Sequence, residues 1–157
     1  MVNIVIREAG LDEFVRIADL KRQIHEVHVK GRPDLFAPYK ELESFAAHSA
    51  AKNCSLLLAE IEDEPVGFAL VQYIDRPASP YMNERKFLHV EEFCVDENHH
   101  RMGIGSRLME RLEQLAREKG YPRIELDVWS FNESARRFYE ASGMTPFRTF
   151  MEMNVNE

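Results

Sequence analysis

The apolar residues of the chain fall into short continuous runs and into longer stretches with a helical period. The short runs predict strands over residues 2–7, 54–61, 65–74, 86–95 and 124–129, and over the tail FRTFMEMNV. The longer stretches predict helices over residues 11–27, 40–51, 104–116 and 133–142. This order of elements is typical of an α/β (α+β) protein, with a mixed sheet and helices on both of its faces.

The helix that begins near residue 104 has the clearest amphipathic pattern. Its apolar face is formed by Ile104, Leu108, Met109, Leu112, Leu115 and Ala116. Gly120 and Pro122 are residues that end a helix. In the last predicted helix, Asn132 is a good N-cap and Gly143 closes the final turn.

Length and charge limit the classes of function. A chain of 157 residues fits a single domain over residues 1–157. The net charge of −7 disfavours a nucleic-acid partner, because the Lys and Arg residues are interleaved with acids, and it favours a cationic small molecule. The N-terminal apolar run is too short for a signal peptide or a membrane span, so we expect a cytoplasmic protein without membrane contact.

The cysteines and histidines do not predict a metal site. Cys54 and Cys94 lie inside apolar runs and show no CxxC spacing, which indicates buried free thiols. His99 and His100 are adjacent, so their side chains splay apart, and the sequence places no third ligand near them. We therefore expect no bound metal.

The segment HHRMGIGSRLM, residues 99–109, places Gly103 and Gly105 at the start of a helix, directly after a strand. A helix N-terminus with glycines that let the backbone approach closely favours a bound phosphate. No lysine follows Gly105, which disfavours a P-loop, and Leu108 stands where a dinucleotide fold has its third glycine. A tight turn without a ligand is the alternative.

The C-terminal half resembles the GNAT superfamily of acetyl-CoA-dependent N-acetyltransferases. The resemblance is carried by the strand VEEFCV, the loop HRMGIG, the strand IELDVW and the segment NESARRFYEASGM. The stretch VEEFCV is most similar to diamine and thialysine acetyltransferases. The resemblance implies a mostly antiparallel, twisted sheet of six to seven strands, acetyl-CoA as co-substrate, and a homodimer.

The resemblance also implies which residues hold acetyl-CoA. Phe93, Cys94 and Val95 would offer backbone groups to the pantetheine arm. The pyrophosphate would lie against a loop formed by His100, Arg101, Met102, Gly103, Ile104, Gly105 and Ser106. Further CoA contacts would come from Asn132, Ala135 and Phe138. His100 stands where the family usually has Arg or Gln, so the side-chain contribution to phosphate binding is expected to differ.

Acetylation of an alkylamine requires a base, because deprotonating such an amine at pH 7 costs roughly 4 to 5 kcal/mol. Glu91 and Glu92 are the nearest carboxylates, and strand alternation predicts that they point to opposite faces. The resemblance implies Glu91 as the base, with Glu92 as the alternative if a bulge shifts the register. A role for both as ordinary solvent-facing or ion-paired strand acids stays open.

The resemblance implies that Tyr139 protonates the departing thiolate, whereas helical periodicity alone is equally consistent with a core residue. We expect the acceptor to be a primary amine of a small, polyamine-like or amino-acid-like molecule, attacking directly in a ternary complex. The residues expected to line its pocket are Asp34, Phe36, Tyr39, Tyr81 and Trp129. A protein amine as acceptor, and a CoA-binding module without catalysis, are the alternatives.

Overall fold

The computed structural model describes residues 2–39 and 53–156, and five strands in these ranges form one sheet. The strands are β1 (Ile4–Ala9), β2 (Cys54–Ile61), β3 (Glu64–Arg76), β4 (Arg85–Val95) and β5 (Ile124–Glu125). They lie in chain order; the first four are antiparallel, and β5 runs parallel to β4. The mixed, mostly antiparallel sheet is confirmed, with five strands in the described residues in place of the predicted six to seven.

A tight turn joins β2 to β3. Glu62 and Asp63 form the turn, and both have positive φ angles, 51° and 64°. Two successive left-handed residues match the right-handed twist of the flanking strands. Ile61 and Glu64 therefore pair directly, and the register of the hairpin is set at its turn.

One face of the sheet packs against a 3₁₀ helix (Leu11–Ile17) that continues as α1 (Ala18–Gly31). The sequence predicts one α-helix here, and the first half is instead 3₁₀. Buried Phe14, Ile17 and Leu20 follow one another at intervals of three residues, which is the period of a 3₁₀ helix. Their partners in the core are Leu56, Leu58, Phe68, Leu70 and Cys94.

The opposite face of the sheet packs against α2 (Ile104–Lys119), which confirms helices on both faces. Gly67 lies where this helix meets the sheet. A Cβ atom at Gly67 would lie 3.0 Å from the Cys94 carbonyl oxygen, 3.2 Å from Ile104 and 3.3 Å from Leu108. The absence of a side chain at this position lets the first turns of α2 approach β3 and β4 closely.

The chain divides into two compact units, residues 1–127 and 128–157. The second contains α3 (Glu133–Ala141), whose N-cap is Asn132, as predicted: the Asn132 side chain accepts a hydrogen bond from the Ala135 amide at 3.3 Å. Residues 147–155 are described but form no strand, so the predicted tail strand is not observed. A strand needs a hydrogen-bonded neighbour, and the second unit contains no other strand in its described residues.

Two further predictions concern element boundaries. The strand predicted over 124–129 extends only over Ile124–Glu125, because its ladder to β4 consists of two residue pairs. The helix predicted over 40–51 lies outside the described residues. Within 2–39 and 53–156, no helix is both long and apolar enough to cross a lipid bilayer.

We expect Gly67→Ala to lower the free energy of unfolding by about 1–3 kcal/mol, because the added methyl group overpacks the contact between α2 and the sheet. Urea denaturation of both proteins measures the difference. Gln114→Ala, an exposed change on α2, is the control and should stay within about 0.5 kcal/mol of the parent protein. Equal stability of Gly67→Ala and the parent would contradict the close approach.

Candidate active site

A β-bulge in β4 places the two predicted acids. Leu70 pairs with Glu92 and the next residue of β3, Val71, pairs with Val90, so Glu91 is an extra residue in β4. His89 pairs with Gln72, two residues from Leu70, and therefore lies on the same face as Glu92. This bulge interrupts the predicted alternation of Glu91 and Glu92. Glu91 contacts His89, and Glu92 lies on the same face as His89, toward α1.

Glu91 is held by a histidine that the sequence analysis did not select. His89 Nδ1 lies 2.9 Å from Glu91 Oε1, and His89 Nε2 lies 3.5 Å from Asp127 Oδ2. An imidazole with a carboxylate at each ring nitrogen is oriented from both sides. The i, i+2 spacing of His89 and Glu91 on a predicted strand is the signal that could have identified the pair.

Glu92 faces α1 and forms an ion pair with Lys21, whose side chain is buried. The second carboxylate oxygen, Oε2, is buried and has no hydrogen-bond partner among the described residues. Burial raises the pKa of Glu92, and the neighbouring Lys21 cation opposes the rise. Burial lowers the pKa of Lys21 in turn, with Glu92 acting against it.

Lys21 was also missed by the sequence analysis. With Ile17, Ile24 and His28 it occupies one helical stripe, at spacings of three and four residues. A lysine is seldom buried unless it is paired. That position could have predicted a buried acid opposite α1.

The second half of β4 has one open edge. On one side β4 pairs with β3 as far as Val95, whereas on the other side its pairing with β5 ends at His89. On that side of β4, no strand of the described residues pairs with Cys94 or Val95. With Phe93, these residues are the predicted pantetheine-binding segment, and a strand edge of this kind can pair with an extended ligand through backbone groups.

The open edge leads to the loop before α2. Arg101 and Gly103 in this loop have φ angles of 65° and 78°, a conformation that turns successive backbone amides to one side. Gly103 is the N-cap of α2, makes no side-chain cap hydrogen bond, and no acidic residue follows in the first turn. The first turn of α2 therefore carries no acidic side chain of its own, which suits an anionic ligand.

The remaining predicted loop residues differ in their surroundings. Ile104 is buried and anchors the loop to the core, whereas Met102 and Ser106 are exposed and Gly105 is partly buried. His100 Nε2 lies 3.1 Å from the Val95 carbonyl oxygen, so its ring contacts the end of β4. This contact accounts for the histidine structurally without a phosphate.

The Cys94 side chain is buried between β4 and α1, as predicted for a core thiol. Its Sγ donates a hydrogen bond to the Leu20 carbonyl oxygen at 3.4 Å. Burial raises the pKa of the thiol to about 12. Cys94 is therefore a protonated thiol at neutral pH and a poor nucleophile.

A model of the acetyltransferase (GNAT) family matches residues 17–144. The chain belongs to the GNAT family. The resemblance stated from the motifs is thereby confirmed.

Two relatives and one more distant structure illustrate this membership. Thialysine N-epsilon-acetyltransferase of Caenorhabditis elegans is 31% identical over 101 residues, which cover 64% of this chain and 56% of that enzyme. A tetramutant of the BH1408 protein from Bacillus halodurans is 32% identical, with a TM-score of 0.88 over 96% of this chain and 99% of that one. Aminoglycoside N-acetyltransferase AAC(6')-Iy, solved in complex with CoA, shares the fold at 13% identity, with a TM-score of 0.73 over 99% of this chain and 97% of that one. The GNAT chain thus spans little more than half of the nematode enzyme.

The second unit of this GNAT protein carries the other predicted residues. Ala135, Phe138 and Tyr139 lie on α3, directly after the Asn132 cap. The rings of Phe138 and Tyr139 are in edge contact, with centroids 5.5 Å apart. The Tyr139 carbonyl accepts hydrogen bonds from the Ser142 and Met144 amides, which closes the helix. The predicted roles of these residues toward CoA stay predictions.

The predicted acceptor-binding residues have local partners in the GNAT chain. Arg32 forms an ion pair with Asp34 at 2.8 Å and lowers its pKa. The negative charge of this carboxylate is therefore already balanced by a cation. Phe36 stacks on His28, with ring centroids 5.0 Å apart, and Tyr39 lies near His25, at 5.8 Å. These contacts fix the loop after α1 against the helix. Tyr81 is exposed, and Trp129 stacks on Phe131 in the second unit.

We expect Lys21→Met to destabilise the GNAT chain more strongly as the pH rises. Without the cation, burial raises the pKa of Glu92 further. The folded variant then holds a proton that the unfolded chain releases above pH about 4.3, so its stability falls as the pH rises through this interval. Because Glu92 keeps some exposure, we expect a loss of about 1–3 kcal/mol at pH 8 and a smaller one at pH 5.

Urea denaturation of Lys21→Met and the parent at both pH values measures this difference. Lys30→Met, at an exposed position near the end of α1, is the matched control and should be neutral at both. A loss of the same size at pH 5 and pH 8 would show that Glu92 does not depend on Lys21 for its charge.

Proposed function

We propose that this GNAT protein transfers the acetyl group of acetyl-CoA to a primary amine of a small molecule, by direct attack in a ternary complex. The observation that carries the proposal is the open β4 edge, which runs from the acids at the bulge to the uncapped N-terminus of α2. An extended thioester with an anionic end matches both features. The acids lie at the other end, where an amine would be deprotonated.

Residues of the first unit would hold acetyl-CoA. The backbone of Phe93, Cys94 and Val95 offers hydrogen bonds along the open edge, and the amides from Arg101 to Ser106 offer them to the pyrophosphate. The CoA complex of AAC(6')-Iy supports this choice of ligand, because that enzyme has the same fold. Bound acetyl-CoA supplies the thioester that the amine attacks.

Glu91 is the proposed base. Its side chain keeps 35% of its exposed area, so a substrate amine or a water molecule can reach it. Glu92 is less accessible, at 24%, and one of its oxygens is paired with Lys21. We assign Glu92 to the electrostatic attraction of the acceptor cation, and Lys21 to holding Glu92 in its ionised form.

We infer direct attack because neither cysteine of the chain is an activated nucleophile. The two cysteines of the chain, Cys54 and Cys94, both have pKa values raised by burial. An acetyl-enzyme intermediate needs a deprotonated nucleophile, and neither thiol supplies one at neutral pH. Tyr139 is the proposed donor of the proton that the CoA thiolate takes up, a role that comes from the motif.

The acceptor class is proposed from charge and from the relatives. The net charge of −7 and the acids beside the bulge attract a protonated amine. The similarity to a thialysine N-epsilon-acetyltransferase supports a linear side-chain amine or polyamine. A cytoplasmic location and a homodimer accompany the proposal as predictions.

A panel of amines, followed by release of free CoA, tests the proposed activity. We expect thialysine, lysine, linear diamines and polyamines to be acetylated and neutral alcohols to be inert. In Glu91→Gln, kcat/KM at pH 7 should fall by about 10² to 10⁴, and less at pH 9.5, where more of the amine is already neutral. The KM for acetyl-CoA should stay unchanged.

Glu64→Gln, an exposed change on β3, is the matched control for the loss of a carboxylate. Tight acetyl-CoA binding without acetylation of any amine would identify a CoA-binding module instead. Acetylation of peptides alone would identify a protein amine as the acceptor. An unchanged pH profile in Glu91→Gln would remove Glu91 as the base.

Acetyl-CoA binding by the α2 N-terminus is tested by a pair of glycine substitutions. Gly103 and Gly120 lie at opposite ends of α2, with φ angles of 78° and 79°, and no atom lies within 4 Å of a Cβ atom at either. Each change to alanine therefore carries the same backbone strain, about 1 kcal/mol. By calorimetry, we expect Gly103→Ala to weaken acetyl-CoA binding about tenfold and Gly120→Ala to leave it unchanged. Equal dissociation constants for the two variants would contradict the assigned site.

A further inference from the structure

Three titratable side chains form a line that leads away from the proposed base. The Glu91 carboxylate contacts His89 Nδ1 at 2.9 Å, and His89 Nε2 lies 3.5 Å from Asp127 Oδ2. Glu91 follows His89 by two residues on β4, and Asp127 lies two residues beyond Glu125, the β5 partner of His89. The bulge in β4 and the end of β5 thus bring the three groups together.

The exposed fractions of the three side chains show that Asp127 is the member of this line nearest to solvent. His89 keeps 27% of its exposed area and Glu91 keeps 35%, whereas Asp127 keeps 66%. With its own proton on Nε2, toward Asp127, the neutral imidazole presents the Nδ1 lone pair to Glu91. The proton that Glu91 has taken from the amine passes to Nδ1, and the Nε2 proton passes to the Asp127 carboxylate, which lies mainly in water. An imidazole is suited to this transfer because it has one nitrogen toward each neighbour and either nitrogen can carry a proton.

The stoichiometry of the proposed reaction requires such an exit. An acceptor enters as an ammonium ion, RNH₃⁺, and leaves as a neutral amide, RNH–CO–CH₃. The N–C bond forms, the C–S bond breaks, and the sulfur leaves with the bonding electron pair. The nitrogen loses two protons in total; the CoA thiolate takes up one, and the other must reach solvent in every turnover.

We propose that His89 is a positioning residue for Glu91 that also receives the amine proton from it, with Asp127 stabilising the imidazolium and passing the proton to solvent. Glu91 is thereby returned to its ionised form before the next amine binds. This role rests on the proposed acetyl transfer. In it, His89 does not contact the substrate and acts through Glu91.

Other charged groups face this line of residues from each neighbouring element. Glu92 adjoins Glu91 on β4 and is faced from α1 by Lys21 and His25, and Cys54 on β2 lies near Glu91. At β5, Glu125 is held in ion pairs with Arg85 and Arg123. The nearest carboxylates other than Glu91 and Asp127 thus have cationic partners, and His89 is the base in hydrogen-bond contact with Glu91.

Two substitutions at His89 separate proton transfer from simple orientation. In His89→Asn, the side-chain amide can still donate a hydrogen bond to Glu91 but cannot take up a proton. In His89→Ala, both functions are lost and space is left beside Glu91. Each variant is assayed from pH 6 to 9.5 with the best amine of the panel, and His89→Ala is also assayed with added imidazole.

We expect both His89 variants to lose about tenfold or more in kcat at pH 7, with a smaller loss at pH 9.5 and an unchanged KM for acetyl-CoA. Imidazole should restore part of the rate of His89→Ala and none of the rate of Glu91→Gln. Asp127→Asn should lose a few-fold. The matched control Asp63→Asn, in the hairpin turn where asparagine tolerates a positive φ, should retain the parent rate.

The outcomes separate this role from the proposed function. If the parent protein acetylates no amine, the proposed function fails. If Glu91→Gln is impaired while His89→Asn and His89→Ala keep the parent rate and pH profile, only the role of His89 fails. A loss in His89→Ala that His89→Asn fully restores would show orientation without proton transfer, and would also overturn it.

Discussion

The extra residue that β4 carries at Glu91 is the constraint on which the candidate site depends. In a regular strand with His89 on the α1 face, Glu92 would point to the opposite face, toward the apolar side of α2. A carboxylate there would be buried without a cation, which costs several kcal/mol or forces protonation. The bulge instead turns Glu92 toward Lys21 and keeps Glu91 beside His89. It interrupts the ladder to β3, and the pairing of β4 with β5 ends at the same level.

The buried Lys21–Glu92 pair contributes to placement more than to stability. Removing two charges from water costs about as much as their attraction returns, so such pairs add little net free energy. Such a pair favours one arrangement of the two elements, because moving either side chain away would leave a buried charge unpaired and would destabilise the fold. The pair therefore fixes the rotation of α1 above the bulge. It also explains why an apolar stripe of α1 contains a lysine.

The parts of the structure that the sequence predicts are those determined by local chemistry. The turn at Glu62 and Asp63, the ends of α2 and the Asn132 cap each follow from a few neighbouring residues. The bulge does not, because it is defined by the β3 residues that pair with Val90 and Glu92. No residue near Glu91 in the sequence encodes that register. The same holds for the short β5 and for the 3₁₀ geometry of residues 11–17, which depend on partners elsewhere in the sheet. Lys21 and Asp127 were missed for this reason, since each is recognised by a contact across elements, whereas the i, i+2 spacing of His89 and Glu91 was a local signal.

An acidic site that acetylates amines has two opposing electrostatic requirements. Negative charge near the bulge attracts the acceptor as a cation, but it also stabilises the ammonium form, which cannot attack. Two carboxylates with separate surroundings resolve this opposition. In the proposed reaction, Glu92, paired with Lys21, contributes negative charge that attracts the acceptor, while Glu91, more exposed and in contact with His89, takes the proton from the amine. Attraction of the acceptor cation and removal of its proton are then proposed functions of two neighbouring residues. A stronger attraction by one residue does not weaken the other as a base.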